Sequence, residues 1–173
     1  MPSTAWPCDN AVELTRDDYV RMVIRAEKLI EAGDYRRAER QIAARFGDAK
    51  LERRAKDLRA LIRLRAPKPK DDLKTVVEHF KQRSESDDGK TDVRFRAWLA
   101  EAYLATGNEA SAREILVDLH KRDLMPDGYA YLALAKLSTG EQRALALTAC
   151  ETRMKVKAMC TLPAKKVSLQ TKS

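Results

Sequence analysis

The sequence is poor in the residues that break or flatten a chain. Six glycines and six prolines in 173 residues, with few β-branched side chains, leave little material for a turn-rich sheet protein and exclude an all-β fold. Aromatic residues are only 6% of the chain. No stretch approaches the roughly 18 to 20 consecutive apolar residues that a membrane span requires, so no span is expected. Three cysteines, Cys8, Cys150 and Cys160, are too few for a disulfide framework and lack the close pairs of a metal site. If one helix runs unbroken to Cys160, the separation from Cys150 is about 15 Å, beyond disulfide reach, so three reduced thiols are expected. Cys8 would bridge to either only in an oxidising compartment.

Catalytic signatures are missing as well. His79 and His120 stand alone, without the second histidine four residues away that a zinc helix needs. There is no glycine-rich phosphate loop and no nucleophile elbow. No catalytic residue, metal or cofactor is therefore expected, and the chain reads as a non-enzyme. Residues 1–10 carry no basic stretch followed by an apolar run, so no signal peptide is expected. Cytoplasmic residence is the default, and a periplasmic or lipoprotein form whose leader has been removed is the alternative.

What the chain has in quantity is helix-forming residues. Alanine and leucine make about a quarter of it, and 35% of residues are charged. The breakers fall at intervals, at Gly33, Gly47, Pro67 with Pro69, Gly89, Gly107, Pro126 with Gly128, Gly140 and Pro163. The segments between them have helical length. The first begins at Thr15, placed to cap the amide of Asp18, and runs to about residue 32, with Val20, Val23, Ile24 and Ile30 tracing one apolar face. Further helices are predicted over 34–46, 48–65, 71–86, 91–106, 108–122, 127–139 and 141–158, about eight in all. Short connections make neighbours antiparallel. Residues 1–13 read as an N-terminal extension, 66–70 as a joint and 161–173 as a basic flexible tail.

A recurrence emerges when the glycines are aligned. Seven residues before Gly33, Gly107 and Gly140 stands an alanine (Ala26, Ala100, Ala133), and three before stands a large apolar residue (Ile30, Leu104, Leu137). Five after, two copies have Ala38 and Ala112, and the third has Leu145. The glycines are 74 residues apart, twice 37, and then 33 apart. These residues resemble the tetratricopeptide repeat, or TPR, a helix hairpin of about 34 residues. The resemblance is good over 91–124, fair over 19–47, and weak over 48–86 and 127–160. It implies an all-α fold in which antiparallel helix pairs stack as a short TPR-like α-solenoid.

The resemblance also implies function. Proteins of this family bind peptides or domains along a concave face made by the first helix of each pair. Transferred by offset, that face would carry Val20, Val23, Glu27, Ile30 and Glu31, then Arg94, Ala97, Glu101 and Leu104, then Asp127, Ala130, Leu134 and Leu137. These are mostly apolar or acidic, which departs from the family's lysine- and asparagine-based clamp for C-terminal carboxylates. An apolar groove edged with carboxylates is expected instead.

The basic charge has its own address. The formal net charge is +8, and residues 48–70 hold nine Lys/Arg against three Asp/Glu. Lys56, Arg59 and Arg63 share a helical sector, away from Leu51, Leu58 and Ile62. The candidate partner-binding residues are thus Glu27, Glu31, Arg94 and Glu101 in the groove and Lys56, Arg59 and Arg63 on the basic helix. The expected partner is a protein or peptide, acidic where it meets the basic helix. Nucleic acid is the lesser alternative, because the basic segments lack aromatic residues for base stacking. A secretion or envelope-assembly chaperone of TPR type is a further alternative. The oligomeric state is not legible in the sequence.

Overall fold

A computed structural model describes residues 14–66 and 73–162. Within them run α1 (Arg16–Glu31), α2 (Tyr35–Gln41), α3 (Ala49–Arg65), α4 (Leu73–Glu85), α5 (Val93–Ala105), α6 (Glu109–Lys121), α7 (Gly128–Leu137), α8 (Gly140–Arg153) and a short 3-10 turn, Lys157–Cys160. The fold is all-α. The predicted N-terminal extension, most of the 66–70 joint and the tail beyond residue 162 lie outside the described residues.

Local chemistry sets the helix starts. Thr15 and Asp18 form a reciprocal capping box, the Thr15 hydroxyl accepting from the Asp18 amide and the Asp18 carboxylate accepting from the Thr15 amide at 3.0 Å. Asp34, Asp48, Asp92, Asn108 and Asp127 cap the next turns through side-chain oxygens. The two best repeat copies close identically. In one, the Asp34 amide bonds the Leu29 carbonyl at 2.9 Å; in the other, the Asn108 amide bonds the Tyr103 carbonyl at 2.8 Å. Both turns pass through a glycine with positive φ, Gly33 at 75° and Gly107 at 83°, a conformation that a side chain disfavours.

Packing follows the hairpins, each helix lying against the next in chain order. A second set of contacts links the odd-numbered helices, α1 to α3, α3 to α5 and α5 to α7. The odd helices therefore form one inner layer, and the even helices back it. Two cores result, and both draw on α5. The first joins α1 to α5 around Ile30, Leu58, Phe80 and Trp98; the second joins α5 to α8 around Ala97, Ala100, Ala112, Leu116 and Ala130.

Three expectations need correction. The second helix was predicted over 34–46 but stops at Gln41, because Ile42 and Phe46 leave helical geometry to fill the core, and the Phe46 amide bonds Glu52 at 3.2 Å. Gly140 does not close α7 as Gly33 closes α1; it is the first residue of α8. The last helix ends at Arg153 rather than 158. Met154 turns extended, the chain doubles back, and Cys160 meets Cys150 in a disulfide with Cα atoms 5.9 Å apart. The 15 Å separation assumed an unbroken helix, so the expectation of reduced thiols fails for this pair; Cys8 lies outside the described residues.

Candidate functional site

The inner layer encloses a cavity of about 390 Å³. α1 supplies Glu27, Ile30 and Glu31, α3 supplies Arg54, Leu58, Leu61 and Arg65, α5 supplies Arg94 and Trp98, and α7 supplies Gly128 and Tyr129. Asp127, which caps α7, and the segment after α8, with Met154 and Lys155, complete the wall. The four odd helices thus meet at one site.

At the base of this site lies a buried ion cluster. The Arg65 side chain is only 5% exposed and forms a two-pronged bond with Glu101, at 2.6 and 2.9 Å, and a third bond with Asp127 at 3.0 Å. Its guanidinium stacks 3.7 Å from the Tyr129 ring centroid. Burial pushes the Glu101 carboxyl up, against the pull of Arg65. Burial also opposes the charge of Arg65, but the Glu101 and Asp127 carboxylates outweigh it and hold the guanidinium protonated. Burial likewise raises the Tyr129 phenol, which meets the Tyr35 hydroxyl at 3.0 Å.

Above the cluster, the carboxylates predicted for the rim each face a cation. Glu27 pairs with Arg54 at 2.6 Å, and Glu31 pairs with Lys155. Arg94 sits on the rim bonded to Asp92 at 2.6 Å. The groove is therefore apolar at Ile30, Leu58 and Leu61 and edged with charges of both signs, not with carboxylates alone; Arg153, also in the lining, donates to the Met125 carbonyl. Trp98, only 4% exposed, lines this wall, and its indole Nε1 is buried out of reach of solvent and makes no hydrogen bond among the described residues. A buried N–H without an acceptor costs about 1 to 3 kcal/mol.

Of the residues predicted from the sequence, Glu27, Ile30, Glu31, Arg94 and Asp127 line this cavity, and Glu101 lies beneath it holding Arg65. Val23, Ala97, Ala130, Leu134 and Leu137 are core residues, buried by neighbouring helices rather than presented to a ligand. Arg54, Arg65, Trp98, Tyr129 and Lys155 were not foreseen as site residues. Arg65 left a trace, since it continues the Leu58–Ile62 stripe of α3 by three residues, a cation where the pattern calls for an apolar side chain.

Lys56, Arg59 and Arg63 gather elsewhere, along an open hollow of about 610 Å³ between α3 and α4 that also includes Lys74, Glu78 and His79. Arg59 is not a simple surface charge: it donates to the Ile42 carbonyl at 2.6 Å and to Glu52 at 3.1 Å. Behind this hollow Asp57, 1% exposed, accepts from Arg83 at 3.0 Å and lies 2.9 Å from His79 Nε2. His79 is thus a boundary residue tied to a buried carboxylate, and His120 stacks edge-on against Tyr131.

Among the described residues, no three His, Cys, Asp or Glu side chains converge to hold a metal ion, and no helix is long and apolar enough to cross a membrane. No family model matches the chain, and no curated protein or solved structure matches it either.

Proposed function

We propose that this chain is a non-enzymatic interaction module of TPR-like build that receives an extended segment of a partner protein in the cavity of its inner helix layer. The observation that carries this reading is the cavity itself, about 390 Å³ with a wall contributed by four helices and lined by apolar side chains together with charged groups of both signs. A peptide main chain offers carbonyl acceptors at every residue, and its side chains fit the patch made by Ile30, Leu58 and Leu61. In the cavity, charges of both signs favour a segment with little net charge; the basic α3–α4 face adds an outer contact for an acidic stretch of the same partner.

The experiment is a selection of displayed random peptides on the protein, followed by affinities for two variants. Arg94→Trp, which plugs the rim, should weaken the selected peptides by about tenfold or more, whereas Lys56→Glu should change them by less than about threefold. The reverse pattern would move the site to the basic face. Labelled single-stranded and duplex nucleic acid, titrated at near-physiological salt, tests the other class. Submicromolar binding lost in Lys56→Glu would make this a nucleic-acid-binding protein, and weak binding erased by salt would leave the peptide reading in place.

A further inference from the structure

The segment after α8 has a role that the helix layers do not explain. It crosses from the end of α8 to the first hairpin, and it forms part of the cavity wall through Met154 and Lys155. Lys155 pairs with Glu31 of α1, 124 residues away. Met159 accepts a hydrogen bond from the Tyr129 hydroxyl at 3.3 Å, and its sulfur would lie 3.4 Å from a Cβ added at Gly33. Gly128 makes room for the crossing, since a Cβ there would fall 2.3 Å from Met154 Cγ. The segment is a strap that joins the two ends of the helix array.

We infer that the Cys150–Cys160 disulfide is the lock on this strap, and that forming it completes the binding cavity. The inference rests on the reading of that cavity as the binding site. Apart from Met154, buried in the second core with Met159 and Leu162 packed against that core, the strap's other anchors are weak. The Lys155–Glu31 pair is more than half exposed on both sides, where ion pairs contribute little, and thioether sulfur is a poor acceptor. Lys155, Lys157 and Ala158 face solvent, and the strap holds only a single short 3-10 turn. The disulfide is its one covalent tie to α8 besides the main chain.

The chemistry is thiol–disulfide exchange. The Cys150 and Cys160 thiols give up two protons and two electrons to an external disulfide, through a mixed disulfide, and that oxidant leaves as a dithiol. A dithiol reductant runs the same exchange backwards. Both cysteines are buried, Cys150 at 0% and Cys160 at 2%, so a reductant reaches the sulfurs only after the strap lifts. The pair therefore behaves as a lock set once, during maturation, and such bonds persist in oxidising compartments rather than in a glutathione-reduced cytosol.

The test uses the full chain carrying Cys8→Ser and Trp6→Phe, so that Cys150 and Cys160 are its only thiols and Trp98 its only indole. Oxidised protein is compared with protein reduced by dithiothreitol and with Cys150→Ser/Cys160→Ser. On loss of the disulfide, acrylamide quenching of Trp98 should rise about threefold or more, and trypsin should cut after Lys155 and Lys157 about tenfold faster, as local opening of the strap requires. Cleavage at arginines inside α5 and α6 and the helical circular dichroism should stay as they were. Equal quenching and cleavage in both states, with the thiols shown by titration to be free, would overturn the inference. Helix cleavage rising in step with the strap would overturn it too, because the disulfide would then hold the whole fold.

Glu31→Gln keeps the disulfide and both strap cleavage sites and removes the ion pair. It should speed strap cleavage less than about twofold, since the exposed pair is weak; an increase matching that of reduction would make the ion pair the lock and contradict the proposal. No partner enters these assays. Strap release without any selected peptide binding would therefore sink the binding reading and leave the strap intact, and the converse would sink the strap alone.

Discussion

The two cores of this protein are built on different principles. The second, from α5 to α8, is packed with small side chains. Ala97, Ala100, Ala112, Ala130 and Ala135 are all fully buried, so helices approach closely and the disulfide finishes the last turn. The first, from α1 to α5, buries alanines too, Ala26, Ala38 and Ala55 among them, but adds rings and charges. Phe80, Phe95 and Trp98 stack with centroids 5.3 to 5.6 Å apart, and Arg83 lies 4.4 Å from the centroid of Phe95 while bonding the buried Asp57. Small-residue packing tolerates little added volume, whereas a charged core tolerates little loss of a partner. The cavity sits where the two meet, with Arg65 of the first core bonded to Glu101 and Asp127 at the edge of the second.

The largest effect is expected at that junction. Arg65→Ala would strand two carboxylates, one of them 9% exposed, and should cost about 3 to 5 kcal/mol in urea unfolding. A cost below about 1 kcal/mol would mean the cores are not coupled through this cluster. Next comes the charged core itself. Asp57→Ala leaves the Arg83 guanidinium and His79 without their buried acceptor and should cost about 3 kcal/mol. In the small-residue core, Ala112→Leu inserts volume where nothing is exposed and should cost about 1 to 3 kcal/mol, read from the thermal midpoint.

Acid should separate the two halves more gently. Asp18, held down by Thr15, Asp48, by the Leu51 amide, and Glu52, by the Phe46 amide, all lie in the first half. Asp88, which takes bonds from Arg83 and Ser86, belongs there too; Asp92, raised by burial but held down overall by Arg94, caps the shared α5, and over α6 to α8 only Asp118 is lowered among the described residues. A carboxyl whose folded pKa is depressed adds stability in full above its unfolded value, about pH 4, and loses it as pH falls through the folded value. Amide protection in α3, taken relative to the intrinsic exchange rate at each pH, should therefore fall below about pH 4 before protection in α7 does. The smallest effect is expected on the surface: Lys56→Glu should shift stability by less than about 0.5 kcal/mol. Arg59→Glu should cost more, about 1 kcal/mol, because Arg59 holds the Ile42 carbonyl.

The same contrast explains what could be read from the residues alone. Ala26, Ala38, Ala100 and Ala112 flank Gly33 and Gly107 at fixed offsets, and the hairpins they mark close through matching hydrogen bonds. Local spacing carries that information, because a close crossing needs a small residue and a left-handed turn needs glycine. Glu27, Glu31 and Arg94 reach the cavity for the same reason: each follows from a register along one helix. The ion cluster does not. Arg65 finds partners 36 and 62 residues further along the chain, and nothing periodic links them. The strap was missed because α8 looks able to continue past Arg153; the turn at Met154 depends on the space above Gly128, a tertiary fact.

The central claim, that the inner-layer cavity is where this protein meets a partner, can be read at one proton. In protein with Trp6→Phe, the Trp98 indole N–H gives a single nitrogen-15-correlated resonance that can be followed while a selected peptide is added. The account predicts that at saturation this resonance moves, because the Trp98 ring forms part of the wall that the peptide covers. A resonance that stays in place at saturation, while amides along α3 and α4 near Lys56 shift, would contradict it.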